Sequence, residues 1–389
     1  MTRDEARSAR WANSALFLSG GIMIGAWAPQ IPLLLPKHGI DKPTLGILIF
    51  GLGIGAMIAM LFVGKAIPRF GTLPLVRLAG LGIVPVLPMV AFAPSLFWLS
   101  LAMVMFGVLM GALDIMANAN AVEVERRLGK AIMSSLHGFW SLGGFIAGSL
   151  GALVISRAGG EVQALLSSAV ILAIVLCALP FLRGEPPLPP EPVASATRSS
   201  FLPRELSIWL LGLMAFLAFV PEGAVLDWGA LFLAETFGAD EFTAGLGFAL
   251  FAATMALIRF AGDGLRNRFG SVPTFTFSAL IAGLGLALAA LAPGSYIAIF
   301  GFALSGFGCA NLVPVIFSAA GNIPGQRPGA ALSVVTMIGY AGVLMAPATI
   351  GWLAENFGHR VTFGGLAAMI LALAFLSRWT VTADHRQEL

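Results

Sequence analysis

Asp114 and Asn118 stand one helical turn apart in the stretch Gly107 to Arg127, GVLMGALDIMANANAVEVERR, and the approach to it from Leu96 to Met110 carries no charge at all. A carboxylate inside an apolar helix costs about 2.5–3.5 kcal/mol on insertion scales, so it defaults to a functional group. His137, Glu222 and Asp227 are the other candidates well inside apolar runs, the remaining charges falling at run ends or in loops. Carboxylates in dry surroundings can hold and release a proton at neutral pH, tuned by burial and by neighbouring imidazole or amide groups. That is the chemistry expected of Asp114, His137 and Glu222, with Asn118 as an alternative tuning partner of Asp114. A buried structural hydrogen bond is the plainer role for the same residues.

Neutral polar and aromatic residues supply the candidates for solute contact. Gln30 sits between Pro29 and Pro32, and Asn311 precedes Pro314. Prolines free backbone carbonyls and open helices, which makes these positions suited to binding. Trp27, Phe139 and Trp140 could stack on a sugar or a planar solute, and Asn118 and Asp227 could hydrogen-bond to one. Against each stands a structural alternative: packing for the aromatics, helix-to-helix hydrogen bonds for the amides, and an interfacial cap beside Trp228 for Asp227.

The elements that must position these residues follow from composition. Of the 389 residues 58% are hydrophobic and 11% charged, against roughly 45–50% and 25% in soluble domains, which makes this a membrane protein. A span needs about 20 apolar residues. The runs are 12–35, 44–64, 73–92, 96–122, 133–156, 162–182, 205–232, 242–262, 272–292, 295–320, 330–353 and 362–380. Arranged with the N-terminus in the cytoplasm, 18 of the 22 Lys and Arg residues fall on one side, leaving Lys37, Lys42, Arg157 and Arg360 on the other. The positive-inside rule then places both termini in the cytoplasm. On that topology Asp114 lies about 7–8 Å and His137 roughly 10 Å from mid-membrane, both toward the cytoplasm, and the two are expected to pair.

Three segments are expected: an N-terminal six-helix bundle over 1–182, a cytoplasmic Pro/Ser-rich linker over 183–204, and a C-terminal six-helix bundle over 205–389. The bundles echo one another at an offset of 199 residues, which carries Arg69-Phe70-Gly71 onto Arg268-Phe269-Gly270, Gly107 onto Gly306, Ser134 onto Ser333 and Gly143 onto Gly342. This fits a duplicated unit with pseudo-symmetric halves. Gly138, Gly143, Gly144, Gly148, Gly339 and Gly342 are expected to let helices approach closely.

Other chemistries find no support. Cys177 and Cys309 lie in separate apolar runs, as packing residues do. No zinc spacing, nucleophile elbow or phosphate loop occurs, so no cofactor, metal or nucleic-acid partner is expected. The charged N-terminus followed by a long run with Pro29 after Ala26-Trp27-Ala28 reads as a retained first helix. Glu123 and Glu125, beside Arg126 and Arg127, read as a solvated helix end.

Twelve spans, a central linker and basic loops after the second and eighth spans resemble the major facilitator superfamily over the whole chain. The loop signature of that family has Gly, three residues, Asp, Arg or Lys, one residue, Gly. Here Gly64 to Gly71 keeps the glycines and Arg69 but has Pro68 at the acidic position, and Asp263 and Asn267 replace the first Gly and the Asp in the second half. The pattern of Asp114, Asn118 and Glu125, followed by Ser134-Ser135-Leu136-His137-Gly138-Phe139-Trp140-Ser141, is similar to YbjJ-type bacterial permeases and distantly to the fucose–proton symporter group. The resemblance implies an all-α integral membrane protein of twelve helices in two pseudo-symmetric six-helix bundles, a monomer in the bacterial inner membrane. It implies a secondary active transporter moving a small polar solute, sugar-like or another metabolite, by alternating access with proton coupling. Sodium coupling is disfavoured by the isolated carboxylates. Proton-driven export of amphipathic compounds is the alternative, and a non-transporting membrane sensor a further one.

Overall fold

The computed structural model describes residues 2–184, 205–324 and 328–384. Among the described residues the regular elements are all helices, and twelve are long and apolar enough to cross a bilayer. They are α1 (Arg3–His38), α2 (Thr44–Phe70), α3 (Thr72–Ala91), α4 (Leu96–Leu128), α5 (Met133–Ala158), α6 (Gly160–Phe181), α7 (Leu206–Phe237), α8 (Thr243–Phe269), α9 (Ser271–Leu291), α10 (Ser295–Gly321), α11 (Ala330–Phe357) and α12 (His359–Ala383). Each apolar run has its helix. The expected linker from Glu185 to Arg204 lies outside the described residues, as do Arg198, Arg204, Arg327 and Arg386 of the orientation count.

Several helices outrun their apolar stretches: α2 continues to Phe70, α4 to Leu128 and α8 to Phe269. An apolar run ends at its first charge, whereas a helix ends where its backbone is stopped. The stops here are glycines in the left-handed region, Gly71 at φ 75°, Gly129 at 61° and Gly270 at 86°, a conformation that costs other residues dearly. Charged side chains placed in loops by hydropathy are thereby drawn up into helices.

Two spans break where the sequence carries proline. The first runs helical to Trp27, tightens into a 3-10 turn at Ala28–Gln30, and resumes at Ile31. The tenth stops at Cys309 and restarts at Leu312, with Asn311 between the two segments. Pro29, Pro32 and Pro314 have no N–H for the helical ladder, so Gln30 and Asn311 both sit at helix discontinuities.

The 199-residue repeat holds far beyond the positions visible in sequence. Left-handed glycines recur as Gly39 and Gly238, Gly71 and Gly270, Gly159 and Gly358. Asp41 caps its helix by accepting from the Thr44 N–H at 3.0 Å, and Asp240 does the same for Thr243 at 2.7 Å. A methyl group on Gly107 would lie 1.8 Å from the Leu52 carbonyl oxygen, and one on Gly306 would lie 2.1 Å from that of Phe251. Leu52 and Phe251 are themselves 199 residues apart. The two six-helix bundles are therefore copies in their caps, their stops and their closest helix crossings.

Contacts divide the described chain into two units. The first holds residues 2–132, 139–184 and 328–333, and the second holds 133–138, 205–324 and 334–384. The opening turn of α5, with His137, is thus grouped with the C-terminal helices, while Phe139, Trp140 and the rest of α5 belong with the N-terminal ones.

Candidate functional site

The first unit has its polar centre on α4. Asp114 is buried two residues past the midpoint of Leu96–Leu128, so about 3 Å from the helix centre, closer than the shorter apolar run implied. The Asn118 amide donates from Nδ2 to the Asp114 carboxylate at 3.0 Å and to its backbone carbonyl at 2.8 Å. That clamps the carboxylate against its own helix at a fixed rotamer. The two residues expected to interact are hydrogen-bonded. Their equivalents 199 residues on are Val313 and Phe317, so the fold does not require a polar pair there.

Other residues expected at a solute site in this unit are engaged elsewhere. The Gln30 amide donates to the Gly160 carbonyl at 2.7 Å and to Gln163 Oε1 at 2.5 Å, and Gln163 in turn donates to Ala26 O at 3.0 Å. This is a tie between α1 and α6 that satisfies the break in α1. Trp27 is buried with its ring edge-on to Phe106 at 5.5 Å, a packing role. Trp140 is half-buried; its ring covers Gly20, and its carbonyl would lie 2.0 Å from a methyl on Gly21. Gly143 and Gly25 complete that α1–α5 crossing against Leu18 and Gly144, the close approach expected of the small residues.

The C-terminal end of α4 differs from expectation. Glu123 and Glu125 are buried, at 6% and 0% exposure, where a solvated end was expected. Thr72 Oγ1 donates to Glu123 at 2.6 Å, Asn120 donates to Thr72 at 3.3 Å and to the Arg183 carbonyl at 2.7 Å, Asn13 donates to Asn120 at 2.9 Å, and the Ile132 N–H donates to Glu125 at 2.9 Å. The physical reason is partner supply: Thr72 and the Ile132 N–H bring donors to these carboxylates from other segments, and buried charge is tolerated when it is hydrogen-bonded.

In the second unit the polar centre is an ion pair. Glu222 sits at the midpoint of α7 and Arg259 three residues past the midpoint of α8, about 4–5 Å from the helix centre. Arg259 Nη2 lies 3.6 Å from Glu222 Oε2, with the Arg259 side chain 8% exposed and that of Glu222 36%. The sequence places Arg259 near the end of the run 242–262, on the side where Lys and Arg collect; the extension of α8 to Phe269 makes that position mid-helix. The available signal was Phe260-Ala261-Gly262, which keeps the apolar pattern going after the arginine.

His137 lies within electrostatic reach of Arg259; its ring is 6.0 Å from that of Phe317, from which the rings of Phe219 and Tyr340 follow at 6.3 and 5.9 Å. Asn311 is 2% exposed, its Oδ1 has no hydrogen-bond partner among the described residues, and a methyl on Gly262 would lie 1.8 Å from that atom. Asp263 accepts from the N–H groups of Ser134 at 2.9 Å and Ser135 at 3.1 Å. A carboxylate thus caps the start of α5, from the signature's first-glycine position and not its acidic one. Asp227 lies further along α7 toward Phe237 and is exposed. The expected Asp114–His137 pairing joins residues of different units and is carried into the proposal below.

Buried mid-helix charges in a duplicated twelve-helix membrane protein mark a transporter rather than an enzyme. The chain belongs to the Major Facilitator Superfamily, whose profile matches residues 14–232 and 211–389. It is 34% identical over 365 residues, 93% of each chain, to an uncharacterized MFS-type transporter of Yersinia pestis. In fold it is similar to the E. coli fucose:proton symporter FucP, with a TM-score of 0.79 at 18% identity over 95% of this chain and 98% of that one. The human organic anion transporter MFSD10 gives a TM-score of 0.77 at 18% identity, over 96% and 99% of the two chains.

Proposed function

We propose that this protein is a proton-coupled secondary transporter that moves a small polar solute by alternating access. The observation that carries the proposal is Asp114, a buried carboxylate at the centre of a membrane-length helix, held by Asn118 and replaced by Val313 in the duplicated half. A group that the fold does without, at a cost of about 2.5–3.5 kcal/mol, is kept for what it binds. Asp114 is the primary proton site, tuned by Asn118 and by His137, and Glu222 is the second.

Asn118, Trp140, Asn311 and Asp227 line the solute path, with Asn311 the strongest of them because its buried carbonyl oxygen is unpartnered at a helix break. Gln30 and Trp27 are assigned to packing. The proton symport named for the fucose transporter of the same fold supports the coupling, and sugar-like solutes are the first class to test. The protein acts as a monomer in the bacterial inner membrane with both termini in the cytoplasm, on the distribution of Lys and Arg, and falls with the YbjJ-type permeases. In proteoliposomes with an imposed pH gradient, Asp114→Asn is expected to abolish gradient-driven accumulation while sparing exchange at equal pH. Accumulation at the wild-type rate in that variant would refute the assignment.

A further inference from the structure

We infer that the second unit carries a docking site for a phospholipid of the ethanolamine class, in which Arg378 holds the phosphodiester, Glu205 holds the ammonium, and the apolar floor between them takes an acyl chain. The inference is independent of the solute and of the coupling ion; it concerns the surface that this bundle shows to the bilayer.

The first observation is a groove of about 520 Å³ where α7 begins and α10 and α12 end. Glu205 and Leu211 line it from α7, Ile323 and Pro324 from just beyond α10, and Arg378 and Trp379 from α12. Successive spans run in opposite directions, so these three helix ends lie on one side of the membrane. Leu206 beside Glu205, and Phe375 one turn before Trp379, are exposed, as side chains in contact with lipid are. A tryptophan at the end of a span is the usual residue of the headgroup level.

The second is that both charges in the groove are uncommitted. Arg378 makes no hydrogen bond or ion pair among the described residues. Glu205 stands at the N-cap of α7 without capping it, and its side chain accepts only a long hydrogen bond from Ser207 Oγ, at 3.5 Å, among the described residues. The two share the lining of one groove and do not pair with each other. Opposite charges held apart over a common floor are the complement of a zwitterion. Phosphoethanolamine carries its phosphate and ammonium two carbons apart; a guanidinium presents paired donors to the phosphate, and the ammonium donates to the carboxylate. A choline headgroup has no N–H to donate, and an anionic glycerol headgroup brings nothing to offset Glu205. Leu211, Ile323, Pro324 and Val381 form the apolar wall that a chain-bearing ligand uses and a soluble zwitterion does not.

The third is the duplicated half. A groove of about 580 Å³ opens there between the start of α1 and the end of α6, and Ser8 and Ala12 in its lining are the equivalents of Ser207 and Leu211. None of its lining residues is charged. The positions of Glu205, Arg378 and Trp379 are held by Ala6, Leu179 and Pro180. The groove therefore belongs to the repeated fold, whereas the two charges and the indole occur in one copy only and are not called for by the packing.

The test uses the purified full chain in detergent micelles with dioleoyl phosphatidylethanolamine, phosphatidylcholine and phosphatidylglycerol in equal amounts. Native mass spectrometry reads which lipid the protein retains, and a melting profile checks the fold of each variant. Phosphatidylethanolamine is expected to be retained in preference to both others. Arg378→Gln should lower that retention about tenfold, as loss of a charge-assisted hydrogen bond implies. Glu205→Gln should leave phosphatidylglycerol retained at least as well as phosphatidylethanolamine, because Arg378 alone then selects the headgroup.

The double variant Glu205→Ala/Arg378→Leu copies Ala6 and Leu179; it is expected to keep the wild-type melting profile and to retain the three lipids alike. Equal retention of the three by the wild-type chain, a preference for phosphatidylglycerol, or a preference for phosphatidylethanolamine undiminished in Arg378→Gln would each overturn the inference. So would displacement of the lipid by an equal concentration of glycerophosphoethanolamine, which has the headgroup without the chains. None of these outcomes touches the transport proposal, which is decided separately by Asp114→Asn.

Discussion

Replacing Glu222 by Met while keeping Arg259 asks what the loss of this carboxylate costs in the middle of α8. At 3.6 Å and an effective dielectric of about 20, the attraction between two unit charges is about 4–5 kcal/mol. The third of Glu222 that remains exposed screens part of it, so about 2–4 kcal/mol is expected for either single change, in line with broken buried pairs. The double change to Met at both positions should cost about 0–1 kcal/mol, because the duplicated half, 199 residues earlier, already holds Met23 and Met60 there, both fully buried. The two single changes together cost about 4–8 kcal/mol against about 0–1 for the double, a coupling of about 3–8 kcal/mol, well outside the few tenths by which independent sites fail to add. Reversible unfolding in mixed micelles at increasing denaturing detergent, run on the four proteins of the cycle, measures it. Additive single changes, or a double variant less stable than either single one, would show that the charges are not coupled.

Three further expectations follow from the same geometry. Asp114→Asn preserves shape and the hydrogen bond from Asn118, so its stability should stay within about 1 kcal/mol of wild type while gradient-driven accumulation falls at least tenfold in proteoliposomes. Thr72→Val removes the donor to Glu123 and an acceptor of Asn120 and should cost about 1–3 kcal/mol in the same unfolding assay, since buried partners are left unsatisfied. Gly107→Ala and Gly306→Ala press a methyl against the Leu52 and Phe251 carbonyls and should each lose about 1–3 kcal/mol. Gly46→Ala and Gly245→Ala, where nothing lies within 4 Å, should gain about 0.5–1 kcal/mol from helix propensity; equal effects at all four would contradict the duplicated crossing.

The amino-acid sequence by itself determined the class and the count. Lipid admits only segments whose backbone is satisfied internally, so each of the twelve helices is written as an uninterrupted apolar run that no tertiary contact is needed to read. The duplication was legible for a related reason: Gly71 and Gly270 are dictated by local backbone geometry, and so recur in register. Asp114 stood out because a charge in such a run is anomalous wherever its neighbours lie, and Asn118 because one helical turn fixes its distance.

What only the tertiary structure decided was the fate of polar residues whose partners come from distant segments. Glu123 is buried because Thr72 arrives from α3, and Gln30 is consumed because Gly160 and Gln163 arrive from α6. Arg259 moved from the end of its apolar run to mid-helix because α8 is stopped by Gly270 and not by its first charge, and it met Glu222 across 37 positions of sequence. Hydropathy measures a residue's own cost of entering lipid. Whether another side chain offsets that cost is a property of the pair, and the pair exists only once the helices are packed.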